Sequence, residues 1–278
     1  MKKVRLKLKW KIIFGIILSI LTLLLYMRFI GTSGIKVKEY KVIDKRLSSF
    51  YGMKVIHFTD LHYGMTVDED KLSYLVEKIN KIKPDIVLFT GDLIDRHTTV
   101  TNEINNILIK HLSNINTTYG KFYVKGNHDK VNKSYDKIMS SSNFKCLDNT
   151  YEVIYSKDNR SLFITGVAVD KSLNNKTIEN LNLNNYDYKI FMMHYPDEID
   201  KILKYNFDLV VSGHSHNGQV RFPVVGKIIT PDNAKKYYDP YYKLNDTNMY
   251  ISGGIGNSTI NLRFFNKPSF NLYRFVDK

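Results

Sequence analysis

The sequence predicts an α/β sandwich, and three observations carry that prediction. Short apolar runs of strand length alternate with amphipathic stretches of helical spacing across residues 53–124. Further short apolar runs crowd the second half with little helical pattern between them, which calls for a second sheet packed on the first. Five of the runs end in turns rich in Asp, Asn, His and Gly. The carboxyl ends of strands are where open α/β sheets gather their ligand-binding loops.

The N-terminal element stands apart from this pattern. Lys2, Lys3, Arg5, Lys7, Lys9 and Lys11 precede an uncharged stretch, Ile12 to Met27, that Arg28 closes. At ~1.5 Å per residue the stretch reaches ~24 Å, short of a ~30 Å hydrocarbon core. Trp10, Phe29 and Ile30 can lengthen it, with Lys11 and Arg28 snorkelling to the headgroups. Residues 1–30 are therefore expected to be a basic N-terminus and one transmembrane anchor. The basic flank puts the N-terminus in the cytoplasm and the rest of the chain outside the cell membrane. A cleaved signal peptide is the alternative: Gly31 and Ser33 are small, but they match an A-x-A-like site poorly and the apolar region is long. Residues 31–50 read as a linker leading into a single domain over 51–278, long enough for a substantial core.

Within that domain, Met53 to Thr59 reads as a strand on Val55, Ile56 and Phe58. Val67 to Ile82 carries Leu72, Leu75, Val76, Ile79 and Ile82 at helical spacing, and Pro84 stops it. Asp85 to Thr90 is a buried strand, Val100 to Ile115 a second amphipathic helix, and Lys121 to Val124 the next strand. This βαβαβ order implies a parallel sheet with helices packed on it. Later strands are expected at Glu152 to Tyr155, Leu162 to Val167, Lys189 to Met193, Asp208 to Ser212, Tyr250 to Ser252 and Phe270 to Phe275. A short helix is expected over Asp197 to Tyr205.

The formal charge is +14. Seven of those positive charges lie in the first 28 residues with no acidic residue among them, which leaves +7 on the remainder. Such an excess suits work beside anionic lipid or on polyanionic substrates, though a solvated lysine-rich surface accounts for most of it. No basic helix or RNA-binding aromatic motif stands out, so nucleic acid is not an expected partner. The lone cysteine, Cys146, excludes an intrachain disulfide and any cysteine-based metal site.

The chemistry lies in five pieces. Asp60 and His62 are i and i+2, so in an extended segment they share a side and can share a metal. Gly91-Asp92 sets a carboxylate at a tight turn, and its two oxygens can bridge two ions. Asp95, three residues on, supports that centre or caps a helix. Asn127 offers an amide oxygen, and His128 is placed to protonate a leaving alkoxide, with Asp129 expected to fix its tautomer. His194 ends an apolar strand, and its place in the set promotes it from core residue to ligand. His214 and His216, again i and i+2 after a buried strand, form a strong metal signal in a chain without cysteine ligands. Imidazole, carboxylate and amide oxygen together suit Mn²⁺, Fe or Zn²⁺ better than Ca²⁺. Of the remaining histidines, His57 reads as core, while His97 lies near enough to Asp92 in sequence to touch a substrate.

Together the pieces resemble the signature of the calcineurin-like metallophosphoesterases, D-x-H, G-D-x-x-D, G-N-H-[D/E], H and G-H-x-H, in that order from residue 60 to 216. The tail is similar to a membrane-anchored bacterial branch of that family, through Gly218-Gln219-Val220-Arg221-Phe222-Pro223, Gly253-Gly254-Ile255-Gly256-Asn257-Ser258 and Arg263-Phe264-Phe265-Asn266-Lys267-Pro268. That branch carries G-H-T-H-G-G-Q, where this chain has Asn217 in place of the first glycine. The change touches no ligand but bears on the shape of the loop.

The resemblance implies a four-layer α/β/β/α sandwich of two mixed sheets and two divalent transition-metal ions. It puts Asp60, His62, Asp92 and His216 around one ion and Asp92, Asn127, His194 and His214 around the other, with His128 as the acid. The expected reaction is hydrolysis of a phosphomonoester, phosphodiester or pyrophosphate by in-line attack of hydroxide held between the ions, without a covalent intermediate. Anchor and resemblance point to a lipid-linked or envelope phosphoester at the outer face of the membrane. The alternatives are a membrane-tethered metal-binding protein without catalysis and an extracellular nuclease or nucleotidase. Tyr237, Tyr238, Tyr241 and Tyr242 line an interface or fill the core. No substrate-binding residue can be assigned from the sequence.

Overall fold

The structure is a computed structural model that describes residues 2–169 and 183–277. Helix α1, Lys2–Leu25, continues through a π-helical turn, Tyr26–Ile30. Its stretch Leu8–Ile30 is long and apolar enough to cross a membrane, and it stands almost wholly free of the domain. At ~1.5 Å per residue it reaches ~35 Å, more than the Ile12–Met27 core alone would give. The hydroxyls of Ser19 and Thr22 bond back to the carbonyls of Gly15 and Leu18, so these polar groups need no partner in lipid.

The domain begins earlier than the sequence reading placed it. Residues 31–50, expected to be a linker, contain strand β1, Lys36–Ile43, and a 3₁₀ turn, Lys45–Phe50. β1 alternates exposed and half-buried residues without a run of large aliphatic ones, which is why it escaped notice. The next strands are β2 (Lys54–Phe58), β3 (Ile86–Phe89), β4 (Gly120–Tyr123) and β5 (Phe144–Cys146), and the last is β14 (Ser269–Val276). They form a six-stranded sheet in the order β1-β14-β2-β3-β4-β5, parallel except where β14 runs against β2.

A second sheet takes β6 (Tyr151–Tyr155), β7 (Ser161–Val167), β8 (Tyr188–Met193), β9 (Leu209–Ser212), β12 (Tyr241–Leu244) and β13 (Thr247–Ile251) in the order β12-β13-β9-β8-β7-β6. Its four inner strands are parallel and its two edges antiparallel. Between β9 and β12 a small hairpin, β10 (Arg221–Phe222) with β11 (Gly226–Lys227), projects on its own.

Side-chain alternation divides each strand between two cores. Ile86 and Leu88 of β3 face Ile190 and Met192 of β8 in the core between the sheets, whereas Val87 and Phe89 face the helices outside. Strands buried on both faces need no polar alternation, which explains their uninterrupted apolar runs. Outside the first sheet lie α2 (Glu69–Ile82), α3 (Asn102–Ser113) and α4 (Tyr135–Ser141). α2 starts where the Asp68 carboxylate accepts from the Lys71 N–H, buries Leu72, Leu75, Val76 and Ile79, and ends at left-handed Lys83 before Pro84. Outside the second sheet, the helix expected over Asp197 to Tyr205 is a 3₁₀ turn, one turn of α-helix (α5, Ile199–Ile202) and another 3₁₀ turn, closing over Phe191, Met193 and Val210. These are the four layers of the predicted sandwich. Among the described residues, α4, β5, β10, β11 and β12 also lie outside the sequence expectations. The tyrosines are divided: Tyr237 is buried, and the Tyr242 hydroxyl accepts from the Tyr238 and Asp239 N–H groups, while Tyr241 stays exposed.

Candidate metal centre

Parallel strands of both sheets deliver their carboxyl ends to one rim. β2 leads to Asp60, β3 to Asp92, β4 to Asn127 and His128, β8 to His194, and β9 to His214 and His216. Between these loops the backbone pairing continues, with the Asp60 N–H on Gly91 O and the His62 N–H on Asp92 O. A side chain at Gly91 would run into Gly126, and one at Gly126 into Asp92, so these two glycines let the loops touch. Asp60, His62, Asp92, His214 and His216 all hold positive φ, between 47° and 65°. For residues other than glycine that conformation costs roughly 1–2 kcal/mol each, and strain of this kind concentrates at functional sites.

The side chains converge. Asp60, His62 and His216 form one compact group of donor atoms, and Asp92, His194 and His214 another; each holds its donors within 4.8 Å of one another. Asp92 lies between them, its Oδ2 3.8 Å from His62 Nε2 and 3.3 Å from His194 Nε2. Asn127 Oδ1 stands 3.0 Å from His194 Nε2. A third grouping, His62 with Asp92 and His128, overlaps the first two. Buried carboxylates beside imidazoles and an amide oxygen are a donor set that fits divalent cations.

Electrostatics within the group are coupled. Burial pushes Asp92 up, but the charges of His194, His62 and His128 outweigh it and hold its carboxyl well below the usual range. Burial pushes His194 down, yet the Asp92 and Asp60 carboxylates lift it to about 9. Burial dominates at His214, brought down to about 3, and at His128, brought down to about 4.

The hydrogen bonds around the rings sort them into two kinds. His194 donates through Nδ1 to Thr90 O at 2.7 Å, which leaves Nε2 as the nitrogen that faces Asp92 and Asn127. His214 donates through Nε2 to Asp232 O at 2.7 Å, leaving Nδ1 for the cluster. His62 Nδ1 faces Asp95 Oδ2 at 3.5 Å while its Nε2 faces Asp60, Asp92 and His216. His128 is arranged the other way round. The Arg96 N–H donates to its Nδ1 at 3.1 Å, so in the neutral ring the proton sits on Nε2, 3.9 Å from Asp92 Oδ2.

Asp129 corrects the sequence reading. It does not touch His128; its carboxylate accepts the N–H groups of Asp92, Leu93 and Gly126 at 2.8–2.9 Å and staples two ligand loops together. The Arg96 N–H, a backbone group with no signature of its own, sets the His128 tautomer instead. Asp95 accepts from the His97 N–H and faces both His62 and His128. His97 is largely exposed, bonded to Asp95 and absent from the cavity lining. His57 is core: its Nε2 lies 2.8 Å from Thr90 Oγ1.

Two supports were not foreseen. Arg263, fully buried, donates to the carbonyls of Gly253, Gly256 and Asn266 and to Asn257 Oδ1, and lies 3.4 Å from His216 Nδ1. Its only advance signal was its place in the tail run Arg263 to Pro268. Asn217 holds φ 48°, ψ 34°, a left-handed conformation that asparagine tolerates in place of glycine. Its amide donates to Ile251 O and Tyr238 O and its oxygen accepts from Lys38 Nζ at 3.1 Å, so the loop keeps its shape.

A cavity of about 450 Å³ reaches the cluster. Its lining joins Asp92, Asn127, His128 and His214 to an apolar set, Val220, Ile228, Ile229, Ile260 and Leu262, and to Met27 at the end of the apolar helix.

A family model for calcineurin-like phosphoesterases matches residues 53–218. An uncharacterized metallophosphoesterase of Bacillus subtilis, YkuE, is 30% identical over 262 residues, covering 89% of this chain and 88% of the relative. A transmembrane protein with metallophosphoesterase domain from Danio rerio is 24% identical over 254 residues, covering 82% of this chain and 54% of the relative. The UDP-2,3-diacylglucosamine pyrophosphatase LpxG of Chlamydia muridarum is 22% identical over 289 residues, covering 84% of this chain and 86% of the relative.

Proposed function

This chain belongs to the calcineurin-like phosphoesterase family, and on that premise we propose that it hydrolyses a lipid-linked phosphoester at the outer face of the cell membrane with two transition-metal ions, Mn, Fe or Zn. Asp60, His62, Asp92 and His216 would hold one ion, and Asp92, Asn127, His194 and His214 the other. Bound there, the ions supply Lewis acidity, drawing charge from phosphoryl oxygens and lowering the pKa of water.

The chain's own groups do the rest. Thr90 O and Asp232 O fix the tautomers of His194 and His214, and Asp95 orients His62. His128 holds its Nε2–H toward the site, where it donates a hydrogen bond to the departing oxygen and stabilises the charge that develops there. Asp129 acts as a positioning residue that keeps the loops of Asp92 and His128 in register.

The observation that carries this reading is the opposed ring arrangement: backbone carbonyls hold one N–H of His194 and of His214 and turn the other nitrogen to the cluster, whereas a backbone N–H holds Nδ1 of His128 and turns its N–H to the site. The lipid-linked substrate and the outer face rest on the apolar N-terminal helix with its basic flank and on the kinship to a relative named for a diacylated sugar nucleotide.

The experiment is a substrate panel on the detergent-solubilised full chain loaded with Mn²⁺, with bound metal counted in parallel. Turnover of an aryl phosphodiester and of a lipid phosphoester is expected. Two bound ions without turnover of any ester would make it a tethered metal-binding protein. Preference for oligonucleotides or nucleotides would make it a nuclease or nucleotidase.

A further inference from the structure

Beside the metal cluster, two segments expose large apolar side chains to solvent. The hairpin of β10 and β11 carries Val224 and Val225 at its tip and runs on to Ile228 and Ile229; the facing loop carries Ile260 and Phe265. Val224 is fully exposed and holds φ 70°. A β-branched residue is strained there, where glycine would sit at ease. An exposed valine in that conformation serves no packing within the chain.

The patch is continuous with the end of the apolar helix. The Arg263 N–H donates to Met27 O at 3.0 Å, Tyr26 meets Phe264 edge-on, and Phe264 also contacts Phe222 of the hairpin. Pairing of Arg221 N–H with Phe264 O ties hairpin and loop together. Ile228, Ile229 and Ile260 belong at once to the exposed patch and to the lining of the cavity that holds Asp92 and His128. Contiguous apolar surface of this kind marks an interaction site. The helix that ends on it fixes which partner lies alongside: a lipid leaflet.

We propose that Val224, Val225, Ile228, Ile229, Ile260 and Phe265 form an apron that sinks into the leaflet where the N-terminal helix emerges, so that a lipid phosphoester enters the cavity sideways from the bilayer. Its hydrocarbon chain lies along the apron and its phosphoryl group meets the metal cluster. The substrate half of this inference rests on the lipid-linked reading above. The membrane contact rests on the geometry of helix, hairpin and loop.

The test uses the full chain in proteoliposomes. Trp10→Phe removes the native tryptophan, and Val224→Trp places one at the hairpin tip. Blue-shifted emission, quenched by phospholipids brominated high on the acyl chain, is expected. Emission typical of water, or a blue shift that brominated lipid does not quench, overturns the apron; the second result would mean that protein covers it. In parallel, the double variant Val224→Asp, Val225→Asp is expected to lose about tenfold or more of its turnover on a bilayer-embedded phosphoester while keeping turnover of a water-soluble aryl ester. Equal loss on both substrates would make the tip part of the fold and overturn the inference. Aryl-ester turnover by the parent chain tests the phosphoesterase reading, and quenching tests the apron without reference to activity, so either can fail alone.

Discussion

The ligand cluster and the apron both invert the usual relation of polarity to burial, in opposite directions. At the cluster, Asp60, His62, Asp92, His194 and His216 are buried; at the apron, Val224, Ile229 and Phe265 stand in solvent. Each region is held by backbone hydrogen bonds from neighbouring loops, so neither is merely loose. The difference lies in what each lacks. The cluster has carboxylate, amide and imidazole donor atoms directed at one another, an arrangement that cations complete. The apron has hydrocarbon surface directed away from the protein, an arrangement that lipid completes. One cavity joins them, as an amphiphilic substrate would require.

The largest expected effect tests the polar end. Asp92→Ala removes the oxygen shared by both donor groups, and turnover should fall by roughly 10³-fold or more with loss of bound metal. Two ions retained by that variant, counted by elemental analysis, would break the comparison there. His128→Ala should cost about 10²–10⁴-fold in turnover while leaving metal content intact. If metal falls as far as in the Asp92 variant, His128 is a ligand and the third grouping, with His62 and Asp92, is the true one.

A pH series sharpens the same contrast. With its pKa near 9 in the metal-free protein, His194 carries a proton at neutral pH that an incoming ion must displace. Metal affinity should therefore rise about tenfold per pH unit through neutrality and level off above pH 9. His214, already neutral there, adds no slope. Affinity that stays flat between pH 6 and 9 would contradict the coupling of His194 to Asp92. The smallest effect is expected from Asn217→Gly, which keeps the positive φ but loses the bonds to Ile251 O, Tyr238 O and Lys38. Stability should fall by roughly 1–3 kcal/mol in a denaturant titration, with aryl-ester turnover little changed.

The two regions also differ in how far they were legible beforehand. Metal ligands betray themselves locally by residue type and spacing, Asp60 with His62 and His214 with His216, although the left-handed backbone at all four is not the extended one from which a shared side is expected. The strands that deliver them are apolar enough to stand out. What could not be read are contacts made through backbone atoms, such as the Arg96 N–H on His128 or Asp232 O on His214, because a backbone group has no residue-type signature. Asp129 was misread for a related reason. Adjacency in sequence suggests contact with His128, but its carboxylate turns to the backbone of residues 92, 93 and 126 instead. The apron was hidden because Pro223-Val224-Val225 reads as an ordinary turn until the helix end is seen beside it. β1 was hidden because its amphipathic pattern is weak and its partner lies more than two hundred residues away.

That partnership bears on how the molecule is made. β14 lies between β1 and β2, more than two hundred residues before it in the chain, with Lys36 opposite Ser269 and Ile43 opposite Val276. While the ribosome is still at work, β1 has no neighbour and β2 lacks one flank. Assembly of this sheet must await residues 269–276, so until they emerge a nascent chain carries an unzipped seam next to its apolar helix, and deletion of these residues would leave that seam permanently open.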